Sequence, residues 1–186
     1  MAIRAISRMG HPILRKKMRE LKREEILSGA IQRLIDDMAE SMHEADGLGL
    51  AAPQVFEDAQ ILVAEVRQSR DEEEESHEPP ALIALVNPSI VKASSKKVNG
   101  WEGCLSIPEI RGIVPRHQSI VVKALDREAR PITVEAEGFF ARILQHEIDH
   151  LSGTLFLDRM EDFQTLTYLR EFERYWLHPD EDDEPK

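Results

Sequence analysis

A chain of 186 residues with 41% hydrophobic and 32% charged content has room for one compact domain with a sizeable core. No run approaches the roughly 18 consecutive apolar residues of a membrane-spanning helix, and a single cysteine, Cys104, excludes an internal disulfide. Six acids in residues 71–78 and a surplus of four negative charges in residues 180–186 carry most of the net charge of −11, leaving the body near −1, with no basic nucleic-acid footprint and no membrane patch.

The opening 19 residues hold six Lys or Arg, no acid and one serine, and Gly10-His11-Pro12 interrupts any amphipathic helix. They read as a folded segment rather than an organellar transit peptide, and the lone cysteine suits a reducing, cytoplasmic setting. Residues 24–45 place Ile26, Leu27, Ala30, Ile31, Leu34, Ile35, Met38 and Met42 at three- and four-residue spacing, which predicts an amphipathic helix stopped by Gly47. GLGLAAPQV, residues 47–55, is a small-residue loop whose glycines suit positive φ or a close ligand. Residues 60–66, QILVAEV, read as a strand, residues 67–80 as an acidic surface loop, and residues 82–86 as a strand ended by Asn87-Pro88. Residues 119–126 and 131–138 flank a four-residue turn as a hairpin. The period turns helical over residues 139–151, Ser152-Gly153 stops it, and a last helix is predicted over about residues 162–176. The sum is a single-domain α+β fold over residues 1–178, with antiparallel β-sheets packed around a central helix and further helices near both termini. An acidic, disordered tail is expected at 179–186.

The chemistry sits in Gln145-His146-Glu147-Ile148-Asp149-His150. Histidines four apart stack on one helical face and can bind one cation, while Glu147 beside them can handle the proton of a water at that cation. A catalytic site of this kind expects a third protein ligand and an open position. The metzincin continuation fails, because Phe156 stands at its last ligand position. A thermolysin-like zinc endopeptidase would use a downstream Glu, and Glu171 is available, although LREFERYW reads more simply as the wet face of a helix. Cys104, in WEGCLSIP, is the stronger candidate: its thiolate would bring one negative charge to two neutral imidazoles.

Three motifs in order, GLGLAAPQ at residues 47–54, EGCLS at 102–106 and QHEIDHLSG at 145–153, closely resemble those of the peptide deformylases. Weaker similarity at ISRMGHPILR, GIVPR and GTLFLDR extends the resemblance over most of residues 3–160. The resemblance implies a hydrolase that removes the N-formyl group from the leading methionine of new polypeptides and releases formate. It implies Cys104, His146 and His150 as ligands of one divalent metal ion, ferrous iron Fe(2+) in the cell, replaceable by zinc, nickel or cobalt. It assigns Glu147 as the acid/base, with the Gln54 amide and the Leu105 backbone N–H as donors to the oxyanion. Gly49 and Gly103 would border a substrate peptide added as a strand, with Leu48, Phe139 and Ile143 around the methionine side chain and Arg111 at the pocket mouth. For Leu48, Phe139 and Ile143, ordinary core packing is an equal alternative. Glu102 paired with Arg116 would be structural support, and Arg142 stands where some members have an apolar pocket residue. The expected partners are N-formylmethionyl nascent peptides met by a monomer. The acidic tail HPDEDDEPK would be repelled by ribosomal RNA, which argues against docking through it. A catalytically degenerate peptide-binding module is a further alternative, against which intact Gln54, Cys104 and Glu147 count.

Overall fold

Ile61-Leu62-Val63-Ala64 is apolar without alternation because strand β2, Ile61–Val66, is covered on both faces. In this computed structural model, which describes residues 2–66 and 81–177, Ile61 and Val63 join one core cluster with Leu34, Ile35, Met38 and Met42. Leu62 and Ala64 join another with Ala141, Ile143 and Leu144, as a strand's period of two requires. The predicted acidic loop at 67–80 and the tail at 179–186 lie outside the described residues.

Five strands form the larger antiparallel sheet, in the order β1 (Gly49–Ala51), β2, β3 (Ala81–Ala93), β6 (Ser119–Leu125) and β7 (Pro131–Glu137). A smaller antiparallel sheet orders β4 (Lys97–Cys104), β5 (Ile107–His117) and β8 (Thr167–Tyr168). Helices α1 (Arg23–Ile26) and α2 (Gly29–Glu44) precede the strands, and α3 (Gly138–Leu151) follows the β6–β7 hairpin that the sequence predicts. Helices α2 and α3 cover opposite faces of the larger sheet, so the expected α+β architecture around a central helix is what the chain forms. Among the described residues no helix is long and apolar enough to cross a membrane.

Four boundaries differ from the sequence reading. The helix expected over 24–45 is broken at Ser28, whose backbone is extended and whose Oγ accepts from Ile31 N and donates to Glu25 O; a short hydroxyl side chain competes with the helical bonds here. Its stop is one residue early: Asp46 takes the left-handed turn, with φ 51°, and Gly47 N donates back to Met42 O at 2.9 Å. Strand β3 does not end at Asn87-Pro88 but bulges there and resumes at Ser89, because the bulge absorbs both the left-handed Asn87 and the missing proline N–H. The last helix begins late: residues 167–168 pair with Ile110 and Arg111 first, then α4 (Leu169–Phe172) runs on as a π turn over Glu173–Leu177.

The stop signal after α3 is borne out. Gly153 has φ 74°, and a Cβ there would lie 2.7 Å from the Arg15 carbonyl carbon, so conformation and close approach both demand glycine.

Candidate metal centre and active site

His146 and His150 stand one turn apart on α3, with ring centroids 5.0 Å apart. Cys104 ends β4, and its Sγ lies 3.2 Å from His150 Nε2. One ligand atom from each of the three lies within 4.8 Å of the others, and this is the only such group of His, Cys, Asp or Glu among the described residues. All three side chains are buried. Glu171, the ligand a thermolysin-like reading needs, is exposed on α4 and outside this group.

The donor set suits a first-row divalent cation: one thiolate and two imidazoles are intermediate in softness. His146 Nδ1 is taken by Glu102 Oε2 at 2.8 Å, which leaves Nε2 as its ligand atom. Two buried polar atoms beside the group have no hydrogen-bond partner among the described residues, Glu147 Oε2 and His150 Nδ1. Unmet buried polar groups are uncommon in folded proteins, and two of them at one cluster of cation-binding side chains fit a site that takes up an ion.

Electrostatics follow from this crowding. Burial alone would raise the Glu102 carboxyl, but hydrogen bonds and charge from His146 and Arg116 outweigh it and hold it down to about 2. Arg116 grips Glu102 through Nε at 2.9 Å and Nη2 at 3.0 Å, and reaches Asp149 through Nη1 at 2.5 Å. His146 is lowered by burial yet raised more by Cys104 and Glu102, so it stands well above its ordinary value, whereas burial drives His150 well below. Burial also raises Glu147, only partly offset by His146, to about 7. A carboxyl near neutrality inside a cleft is suited to taking and returning a proton.

The cleft beside these groups has a volume of about 510 Å³ and is lined in part by Leu48, Gly49, Gln54, Gly103, Leu105, Arg111, Phe139 and Ile143, so every substrate-side residue expected from the sequence reaches it. Leu48 and Ile143 belong to the core as well, while Phe139 is 54% exposed at the rim. Gln54 is oriented by its Oε1 accepting from Ala51 N at 2.8 Å, which aims Nε2 at Cys104 Sγ (3.6 Å) and Ser106 Oγ (3.4 Å). Leu105 occupies the turn after β4, where its carbonyl accepts from Arg8 Nη1 at 2.5 Å. Gly49 and Gly103 are tight for reasons unrelated to φ. A Cβ at Gly49 would meet Glu147 Oε1 at 2.5 Å, and one at Gly103 would strike the Arg111 guanidinium.

Some roles had no sequence signal of their own. Arg142 is drawn into the ion network, donating to Glu102 Oε1 at 2.9 Å, besides lining the cleft. Asp149 ties Arg116 to Arg159. The N-terminal segment secures the loops that carry Gln54 and Leu105, with Ser7 N on Gln54 O at 2.7 Å and Met9 N on Ser106 O at 2.8 Å.

Residues 3–165 match the family described as Polypeptide deformylase. A peptide deformylase of Thermomicrobium roseum is 42% identical over 184 residues, spanning 99% of this chain and 96% of that protein. Peptide deformylase 2 of Pseudomonas putida is 40% identical across 89% of this chain and 92% of its own length. The Met-Ala-Ser-bound crystal structure of a class I type b peptide deformylase from Acinetobacter baumannii superposes with a TM-score of 0.76 at 34% identity, covering 86% of this chain and 99% of that one.

Proposed function

Because this chain belongs to the polypeptide deformylase family of enzymes, we propose that it hydrolyses the N-formyl group of formylmethionyl peptides, with release of formate, in a metal-dependent reaction. The observation that carries this reading is the convergence of Cys104, His146 and His150 within 4.8 Å of one another beside the cleft that Glu147 and Gln54 line. These three residues would hold one divalent cation, ferrous iron in the cell, which when bound supplies a Lewis acid able to activate water at neutral pH.

The chain's own groups account for the rest. Glu147 accepts a proton from the attacking water on its carboxylate and passes it to the departing α-amine. Gln54 Nε2 and the Leu105 N–H donate to the formyl oxygen as charge gathers on it. Glu102 holds His146 in one tautomer through Nδ1, and Arg116 holds Glu102. The peptide lies between two edge strands, β1 at Gly49 and β4 at Gly103, adding a strand where the two sheets end. Leu48, Phe139 and Ile143 enclose the methionine side chain, and Arg111 stands at the mouth. Met-Ala-Ser, bound in the Acinetobacter baumannii structure, is what remains of formyl-Met-Ala-Ser once formate has left, which supports a product of that type in this cleft. The natural substrates are nascent chains met in the cytoplasm by a monomer.

Iron-loaded protein kept from oxygen should release formate from formyl-Met-Ala-Ser, and Glu147→Ala should keep its metal while losing that activity. An inert, fully iron-loaded wild type would end the proposal.

A further inference from the structure

We infer that Arg142 and Gln145 are positioning residues for the metal centre, setting the distance between Cys104 and the two histidines; this rests on reading those three side chains as the ligands. The ligands come from separate bodies, His146 and His150 from α3 and Cys104 from the β4–β5 hairpin. The apolar α3 side chains assigned to the core, Ala141, Ile143, Leu144 and Leu151 with Phe140 and Ile148 beside them, all pack on the larger sheet. None belongs to the cluster under the smaller sheet, which contains Cys104, Ile107 and Val114. The helix therefore meets the cysteine-bearing sheet through polar groups, with the His146 ring stacked on Phe156.

Those groups form one stripe on α3. Arg142 donates to the carbonyls of Val98 (2.6 Å) and Gly100 (3.2 Å) on β4 and Val114 (2.8 Å) on β5, besides Glu102. Gly100 makes this possible, since a Cβ there would lie 2.8 Å from Arg142 Nη2. Gln145, 5% exposed, takes both backbone groups of His117, accepting N–H at 3.0 Å and donating to the carbonyl at 2.9 Å. Asp149 completes the stripe through Arg116. Residues 142, 145 and 149 lie three and four apart and so face the same way.

Apolar surfaces tolerate sliding, whereas hydrogen bonds are short and directional. A metal site with bonds near 2.1 Å to nitrogen and about 2.3 Å to sulfur accepts deviations of roughly 0.2 Å. The polar stripe supplies that registration, and its loss should open the Cys104 side of the site while the helix remains seated on its own core.

The test uses cobalt(II) alone as the probe on the full chain, with affinity from chelator competition and the thiolate-to-cobalt absorption band reporting the Cys104 bond. Gln145→Met and Arg142→Met are expected to weaken cobalt binding about tenfold to a hundredfold and to diminish that band. Arg142→Lys, which keeps a charged donor, should recover part of both. Ile148→Ala trims the apolar side of the same helix and should lower the melting temperature while leaving affinity and band intact. Met variants with wild-type affinity and spectrum, or an Ile148→Ala protein that loses both equally, would overturn the inference. Should Gln145→Met not fold, Arg142→Met decides it. A wild type lacking the band would refute the ligand assignment itself, and the inference with it.

Discussion

Gly49→Ala tests the acid/base role proposed for Glu147 by crowding that side chain without touching its charge. Gly49 lies in β1 opposite Ala64 and is not among the positive-φ residues, so alanine meets no backbone strain. Its new methyl would sit 2.5 Å from Glu147 Oε1, 2.8 Å from Cγ and 2.9 Å from Cδ, so the clash involves the stem of the side chain as well as its tip. Opening 2.5 Å to an ordinary 3.4 Å takes about 0.9 Å. Glu147 is only 4% exposed, so its carboxyl can give way only into the cleft that it lines, away from its present position. A reacting group misplaced by about 1 Å loses about a hundredfold in rate, which is about 2.7 kcal/mol at 1.36 kcal/mol per factor of ten. Steady-state formate release from formyl-Met-Ala-Ser should therefore show kcat down about a hundredfold, with KM changed less than about threefold and metal content unchanged. If Gly49 instead serves only to let substrate pass, KM rises and kcat holds. Retention of more than about a third of kcat would refute the crowding account.

Acid should expose the buried carboxylate. Glu102 is held down to about 2 against an ordinary 4.5, so it stabilises the fold above pH 4.5 and that contribution is lost as pH falls toward 2. In metal-free protein the loss is about 3 kcal/mol, measurable as urea midpoints against pH, and Glu102→Gln should flatten that stretch of the curve. Removing Arg116, 5% exposed between Glu102 and Asp149, should cost about 3–5 kcal/mol in the same assay, whereas removing half-exposed Arg159 from Asp149 should cost no more than about 1 kcal/mol. The reverse order would contradict the view that burial sets the value of these pairs. Metal analysis should find Cys104→Ser depleted and Glu171→Gln fully loaded; the opposite result would restore an endopeptidase-like third ligand.

Much of this was legible along the chain. A four-residue spacing on a helix puts two imidazoles on one side whatever else the fold does, and the ordered motifs around Gln54, Cys104 and His146 named the reaction class. The β6–β7 hairpin and α3 could be read because their periods are local. The misread boundaries are places where one side chain or a distant strand overrides local period. Ser28 caps instead of continuing, Asn87 bulges because its side chain exchanges hydrogen bonds with Leu21, and residues 167–168 join a strand begun far upstream. Tertiary structure alone decided that Cys104 meets His150, 46 residues away, that Glu102 is shared by His146, Arg116 and Arg142, and that Gly49 lies against Glu147. Sequence period records which side of an element is turned inward; which elements then touch, and how closely, depends on packing between residues far apart in the chain, and a cluster of one cysteine and two histidines drawn from a strand and a helix lies at that level.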